Sequence, residues 1–297
     1  MIFAGVDPGT STYAVAMVNE LGKVISYAEF PTDQVEKDIM SILAYILRYR
    51  PSLISLPSGH GLPFVRARDL DEDSIFLMTL SASGKGPLHS FLRASRHLPG
   101  VTIPSVIELS SVPRHRKVNM IDLGTADKVA SAFFYRTMFR NFVLVEAGSR
   151  FLSALVVLDG VIVDGLGSSI LPGSAGFMDG ELAYLMSQRR PLTKSQIYST
   201  GTFERAVEVA RMFADYYSKH YHIPVIVSGK RKDAVPFGLK FDFRFKESAV
   251  GSAYIASAVS GYRFREHIDM LNSAGTPIDY VELEGWEENI SWIRTLS

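Results

Sequence analysis

One local plan is written twice along the chain, and this repetition constrains the fold more than any other feature. Ile2 to Val6 is a short apolar run ending at Asp7-Pro8-Gly9-Thr10-Ser11-Thr12. Tyr13 to Val18 follows, then the turn Asn19-Glu20-Leu21-Gly22 and a return over Lys23 to Phe30. Near residue 142 the same order recurs. Phe142 to Val145 ends at Glu146-Ala147-Gly148-Ser149, Phe151 to Leu158 follows, Asp159-Gly160 turns the chain, and Val161 to Val163 returns. Asp-Gly between apolar runs is a strong signal for a two-residue hairpin, because both positions tolerate positive φ. Strand, acidic glycine turn, strand, tight turn and strand in each half point to an internally duplicated architecture.

Helical patterns alternate with these strands. Val35, Ile39, Ile42, Leu43, Ile46 and Leu47 fall at the three-to-four spacing of one buried face, and Pro51 ends the run. Leu53 to Leu56 reads as another buried strand. Thr202 to His220 is a long amphipathic helix leading to the strand Val225-Ile226-Val227, and Val250 to Ser260 is a late helix of small residues without an acid inside it. Tyr184, Met186 and Phe213 are expected in the core. Alternating strands and helices give an α/β class. With 297 residues, the chain is long enough for two cores, divided as 1–140 and 141–297.

Charge and cysteine content narrow the function. Lys+Arg and Asp+Glu both number 31, so the net charge is zero and no basic excess marks a nucleic-acid binder. The absence of cysteine removes disulfides, thiolate metal sites and cysteine nucleophiles. No apolar run is long enough to span a bilayer, and the N-terminal residues lack a basic signal-type region. The expectation is a cytoplasmic protein with neither nucleic-acid nor membrane partners; a homodimer is left open.

Three turns carry the candidate chemistry. After the first strand, Gly9 permits a tight turn whose N–H groups face an anion, with donors from Thr10, Ser11 and Thr12. Asp7 beside it can hold Mg²⁺ through water, since that ion gives up its hydration reluctantly; the same residues also make an ordinary β-turn. Glu146, with Gly148 and Ser149, is the matching element of the second half. If the halves face one another, Asp7 and Glu146 both address one phosphate chain. The third turn, Ser228-Gly229, offers bare backbone to a base or ribose. The densest polar stretch is Pro113-Arg114-His115-Arg116-Lys117-Val118-Asn119 followed by Asp122 to Lys128. Its cations suit a carboxylate or phosphate, and a solvated loop entering a helix capped by Thr125 explains it equally well.

On these residues the chain resembles the acetate and sugar kinase, Hsc70 and actin superfamily. Asp7-x-Gly9-Thr10-x-Thr12 looks like its first phosphate motif, Glu146-x-Gly148-Ser149 like the second, and Ser228-Gly229 like the adenosine motif. More narrowly, it is similar to an archaeal family of unknown function thought to be butyrate kinases. That likeness rests on Pro57 to Pro63, Arg68-Asp69-Leu70, Met78-Thr79-Leu80, Val112 to Asn119, Asp122 to Lys128 and Asp179 to Leu185. The resemblance implies two ribonuclease-H-like (actin-like ATPase) domains facing each other across a nucleotide cleft, with ATP and Mg²⁺ as cofactors. It implies phosphoryl transfer to a small anionic acceptor, a short carboxylic acid among the candidates. Asp7 and Glu146 would hold the metal, and Asp122 or Asp127 would serve as base for an alcohol acceptor. The acceptor would meet Arg114, His115, Arg116, Lys117, Asn119 and Lys128. Two residues depart from the superfamily pattern: Glu146 stands where Asp is common, and Lys230 follows Gly229 where a second glycine is frequent. These departures favour the alternative of a non-catalytic nucleotide-binding regulator or scaffold. A resolvase-like nuclease is disfavoured by the zero net charge and the acid-free late helix.

Overall fold

The computed structural model describes residues 1–168, 180–188, 190–197 and 201–295. The first hairpin unit is β1 (Ile2–Pro8), β2 (Thr12–Asn19) and β3 (Val24–Pro31). It is followed by α1 (Thr32–Lys37), α2 (Ile39–Arg48), β4 (Leu53–Ser55), α3 (Glu72–Thr79), α4 (Pro87–Ser95) and β5 (Gly100–Val101). After α5 (Arg114–Lys117) and α6 (Ala126–Arg136), the second unit is β6 (Phe142–Ala147), β7 (Leu152–Leu158) and β8 (Val161–Leu166). Then come α7 (Gly180–Ser187), α8 (Lys194–Ile197), α9 (Phe203–Tyr221), β9 (Val225–Ser228) and β10 (Leu239–Lys240). The chain closes with α10 (Glu247–Val259) and α11 (Trp286–Arg294).

Among the described residues these strands form two five-stranded sheets ordered β3-β2-β1-β4-β5 and β10-β9-β6-β7-β8. In each, the first three strands pair antiparallel, and the remaining two add parallel to the first. Strand for strand, β6 to β10 repeat β1 to β5. The duplication read from the hairpin plan is therefore present in both halves, in keeping with the two ribonuclease-H-like domains that the resemblance implies. The turn at Asp159-Gly160 has φ of +49° and +82°, the double left-handed geometry that its sequence requires.

Every residue from Phe3 to Asp7 on β1 and from Tyr13 to Val18 on β2 is buried, so both faces of the first sheet are covered. One face meets α1 to α4 and α11 through Ala4, Val6, Val15 and Met17. The other joins the second sheet through a shared core of Phe3, Ala14, Phe133, Leu144, Leu155 and Ile255, with α6 and α10 between the sheets. Helix α9 covers the outer face of the second sheet through Ala206, Ala210 and Ala214. The layers thus run helix, sheet, helix pair, sheet, helix.

Helix α10 belongs to the first sheet as closely as to anything near it in sequence. A Cβ on Gly5 of β1 would lie 2.1 Å from the Ala253 nitrogen, and one on Gly251 would lie 1.9 Å from the Ala130 oxygen of α6. Small residues on α10 let its backbone approach both neighbours. Ile278 and Ile290, farther along, also pack into the outer core of the first half.

Several local expectations differ. The helix expected across Val35 to Leu47 is broken at Asp38, whose backbone is extended at φ −143° and whose side chain caps α2 by accepting from the Met40 N–H. The new register turns Leu47 outward, leaving it exposed. Tyr184 is exposed as well, because α7 buries none of its residues. The late helix starts at Glu247, so it carries an acid in its first turn, contrary to the sequence reading. No helix among the described residues is long and apolar enough to cross a membrane.

Candidate functional site

The first turn lies between β1 and β2, where Asp7 is buried near the strand end. The Thr32 hydroxyl donates to the Gly9 carbonyl at 2.8 Å and holds the turn. A Cβ at Gly9 would lie 2.6 Å from the Thr12 oxygen. The equivalent turn of the second sheet is closed by the Gly148 N–H donating to the Phe151 carbonyl at 2.8 Å. Ser149 lies in this turn and is half-buried. Glu146 stands one strand residue before Ala147, in register with Ser153 on β7 and Ser228 on β9.

Helices α6 and α10 bring their N-terminal residues to these two strand ends. The Lys128 ammonium, in the first turn of α6, donates to Asp127 Oδ2 at 2.7 Å and to Glu146 Oε1. The Lys246 ammonium, at the start of α10, donates to the Thr12 carbonyl at 2.9 Å and to its hydroxyl at 2.7 Å. It stands 3.4 Å from Asp7 Oδ2. Thr12 in turn donates to Glu29 at 2.7 Å, and Tyr27 donates to the same carboxylate at 2.6 Å. Both lysines stand where the helix dipole disfavours cations, so their carboxylate partners are needed.

The electrostatics mark one shared site. Burial pushes the Asp7 carboxyl up from 3.8 to about 6; Lys246 and Lys128 oppose this, and Asp127 and Glu146 add to it. Burial acts to raise Asp127 too, yet Lys128 and the Thr125 hydroxyl hold it below its ordinary value. For Lys128, burial is outweighed by Asp127 and Glu146, and its pKa rises. Glu247 is raised by burial and by Glu146, and it accepts from the Tyr135 hydroxyl at 3.0 Å. Thr125 stands at the N-cap of α6, but its hydroxyl donates to Asp127 rather than to a helix N–H.

Some polar atoms in this site have no partner among the described residues. Glu146 Oε2, Ser153 Oγ and Ser228 Oγ are buried with no hydrogen bond to any of them, although buried polar atoms are ordinarily satisfied. An orphaned carboxylate oxygen and a buried Asp7 short of positive charge fit a hydrated divalent cation. Mg²⁺ is commonly held by one or two carboxylates with its remaining positions filled by water and phosphate. No cluster of three or more His, Asp or Glu capable of enclosing a metal exists among the described residues, so a fully protein-made cage is not the fit.

The remaining expected residues are spread more widely. Asp122 is buried and accepts from the Gly124 N–H at 3.0 Å. It crowds Gly167, where a Cβ would lie 2.1 Å from Asp122 Oδ1. Gly229 has φ +91°, and a Cβ there would lie 2.4 Å from the Ala147 oxygen. Its bare backbone therefore packs on the end of β6 beside Glu146. Lys230 is exposed, and its charge reaches Glu29 on the first sheet: burial would raise Glu29, but hydrogen bonds from Tyr27 and Thr12 and the charges of Lys246 and Lys230 lower it.

The basic stretch expected to hold an acceptor has other partners. Arg114 pairs with Glu282 at 2.5 Å, and Arg116 Nε donates to the buried Asp164 at 2.8 Å. Lys117 is buried, donates to the Leu109 carbonyl at 2.8 Å and lies over the Tyr280 ring at 4.7 Å. Asn119 takes the left-handed conformation, φ +56°, and accepts from the Glu282 N–H at 2.7 Å. His115 is exposed. These side chains fasten the tail to the body and α5 to the second sheet; of the six, only Lys128 joins the turns. Asp179 of the Asp179 to Leu185 segment lies outside the described residues.

Sequence reasoning missed Lys246, Glu247 and His60. His60 Nδ1 is buried and has no partner among the described residues. Burial and Lys194 lower its pKa, with Asp122 and Asp127 opposing them. The Gly-His-Gly run was its only signal: Gly61, φ +84°, is pressed against the Ser105 nitrogen, 2.3 Å from a Cβ position.

Comparison with known proteins adds a family. Solved structures similar to the chain include a ROK hexokinase from Thermus thermophilus, at 14% identity over 85% of this chain and 97% of that one, TM-score 0.42. A ROK family glucokinase from Streptomyces griseus, in complex with glucose and AMPPNP, is 12% identical over 86% and 99%, TM-score 0.47. The acetate kinase from Entamoeba histolytica is 11% identical over 92% and 80%, TM-score 0.47. No curated protein sequence matches. A family model described as protein of unknown function, DUF1464, matches residues 5–283. With nearly its whole length matched, the chain belongs to the DUF1464 family.

Proposed function

We propose that the protein is an ATP-dependent phosphotransferase acting on a small anionic acceptor, with a short carboxylic acid, as in the butyrate-kinase reading, the leading class. The observation that carries this reading is the convergence of Asp7 and Glu146. They come from equivalent strand ends of two duplicated sheets and share one electrostatic environment with Asp127, Lys128 and Lys246.

The arrangement suits a polyanion. Two ammonium groups and the N-terminal ends of α6 and α10 are positive, while Asp7 and Glu146 supply the negative charge a metal needs. The turns at Gly9 to Thr12 and at Gly148-Ser149 present backbone N–H groups and hydroxyls. Mg²⁺ held by Asp7 and by the orphaned Glu146 Oε2 would neutralise charge on the phosphates. Phosphoryl transfer depends chiefly on positioning and charge neutralisation, and the lysines supply both. Lys128 is already buried and permanently charged, and Lys246 can exchange Thr12 for a phosphate oxygen. A carboxylate acceptor is ionised at neutral pH and needs no base. For an alcohol, Asp127 is the base nearest the site, though Lys128 keeps it ionised and weakly basic.

The test is calorimetric titration of ATP with and without Mg²⁺, on the wild type, Asp7→Asn and Glu146→Gln. Magnesium-dependent binding that both substitutions abolish is expected. Failure of the wild type to bind ATP, ADP or GTP would refute the reading. The regulator reading has one specific observation behind it, Lys230 standing exposed in the adenosine turn. It predicts nucleotide binding without turnover in the presence of any acceptor.

A further inference from the structure

Glu146 is the middle of a polar row that crosses three strands of the second sheet. Its register partners are Ser153 on β7 and Ser228 on β9, one on each side at the ordinary strand spacing of about 4.8 Å. Side chains alternate between the two faces of a sheet. Two positions away on the same strands, Leu144, Leu155 and Ile226 enter the core shared with α6 and α10. Glu146, Ser153 and Ser228 therefore face the helix pair as well, as the contact of Glu146 with Lys128 on α6 requires. The equivalent carboxylate of the first sheet lacks this flank, because Asp7 is paired with Ala14 on β2.

The row is incomplete. Lys128 donates to Glu146 Oε1, whereas Glu146 Oε2, Ser153 Oγ and Ser228 Oγ are buried without a hydrogen bond to any described residue. The two serines are 2% and 1% exposed. A hydroxyl hydrogen rotates to suit its surroundings, so a serine within reach of a free carboxylate oxygen donates to it. Neither serine does, which sets both beyond hydrogen-bonding distance of Oε2 and leaves room for a bridging molecule. Ser55 on β4 is also without a partner among the described residues, but it pairs with Gly5 and Val101 and has no carboxylate in its row. A bridge between a carboxylate and two hydroxyls has to donate to the first and exchange hydrogen bonds with the others, and water does both. Asp7, Asp127 and Glu146 share two ammonium groups, Lys128 and Lys246. The water that best suits this excess of carboxylate is one bound to a cation.

We infer that Ser153 and Ser228 are positioning residues for the metal. Their hydroxyls hold the metal-bound water that donates to Glu146 Oε2, so this carboxylate grips the cation through water. The inference rests on the phosphotransferase reading for the identity of the ion, Mg²⁺, which retains several of its waters when bound. It also removes the Ser228 side chain from the adenosine turn: the hydroxyl belongs to the Glu146 row, and only the backbone at Gly229 is left to meet a base or ribose.

Mn²⁺ is the probe, because it takes similar octahedral oxygen surroundings and its free ion is counted by electron paramagnetic resonance. It is titrated into the wild type, Ser153→Ala, Ser228→Ala and Glu146→Gln, each with and without ADP. The wild type is expected to bind one ion per chain and Glu146→Gln to lose it. Each alanine variant is expected to bind the ion about tenfold more weakly or worse, the usual effect of removing a group that orients a metal's ligands. Thermal unfolding in EDTA is expected to be unchanged or slightly higher in the alanine variants, since each loses a buried hydroxyl with no partner among the described residues. Affinity for ADP in EDTA is expected to be the same in Ser228→Ala and the wild type; a loss there restores Ser228 to the adenosine turn and overturns its assignment here. Alanine variants that bind Mn²⁺ as tightly as the wild type overturn the inference, as does a wild type that binds no Mn²⁺ in either state. A protein that binds Mn²⁺ through these serines but binds no nucleotide upholds the inference and refutes the phosphotransferase reading.

Discussion

Asp7 is the residue whose chemistry and stability pull in opposite directions, and Asp7→Asn separates them. Burial, together with Asp127 and Glu146, raises its carboxyl from 3.8 to about 6 against the opposition of Lys246 and Lys128. In the unfolded chain the group ionises near its ordinary value; in the folded protein it holds its proton about two pH units longer. Between those values the folded state binds the extra proton, so stability falls as pH rises, and above about pH 6 the loss is complete and constant. At 1.36 kcal/mol per unit, the ionised carboxylate costs the free protein on the order of 3 kcal/mol at neutral pH. Asparagine copies the neutral form without the charge. Asp7→Asn is therefore expected to unfold several degrees higher than wild type at pH 8 and at nearly the same temperature at pH 4. Thermal unfolding of both proteins across that range, without nucleotide, is the assay. Should Asp7→Asn be less stable at pH 8, or gain equally at pH 4, the assignment of Asp7 as a carboxylate whose burial outweighs its neighbouring lysines would be wrong. The matching loss of magnesium-dependent ATP binding in the stabilised variant would show that the cost serves the ligand.

Three further outcomes follow from the packing. Gly5→Ala places a Cβ 2.1 Å from backbone on α10, and denaturant titration is expected to show a loss of about 3 kcal/mol or more. Lys128→Met leaves Asp127 and Glu146 buried without their shared cation, a loss of about 3–5 kcal/mol that adding Glu146→Gln should partly restore. Arg116→Ala is expected to lower stability by about 2 kcal/mol and to be strongly coupled to Asp164→Asn in a double-mutant cycle. If Arg116 instead served the acceptor, stability would be unchanged and acceptor affinity would fall.

Those parts of the site that local chemistry dictates were legible in the sequence. Asp7 with Gly9 and Glu146 with Gly148 each lie on one hairpin, so spacing alone places acid and turn together. Asp159-Gly160 announced its own geometry. What was not legible depends on residues far apart in the chain. Lys246 reaches Thr12 and Asp7 only because α10 crosses back to β1, and nothing near residue 246 advertises that return. The basic stretch invited a ligand because Glu282, Tyr280 and Asp164, which occupy its side chains, come from the tail and from β8. The break at Asp38 was hidden by apolar periodicity, which runs unbroken through a residue that also makes a good cap.

The positions of the two site lysines bear on how the halves work together. Lys128 opens α6 and Lys246 opens α10, and these are the two helices packed between the sheets. Gly251 brings the helix backbones together, and Gly5 brings α10 onto β1, so the pair is tied to the first sheet. Glu146 belongs to the second sheet, and its link to Lys128 crosses from one half to the other. A small rotation of the second sheet about the helix pair would therefore alter the Lys128–Glu146 contact directly, while leaving Lys246 on Thr12 and Asp7. Because Lys128 already pairs with Asp127 on its own helix, losing Glu146 would not leave it unpaired. Such a motion would free Glu146, whose second oxygen has no partner among the described residues, for a cation. Closure of the two halves on a nucleotide would then be felt at this ion pair and at Arg116–Asp164, which also links the first half to the second sheet.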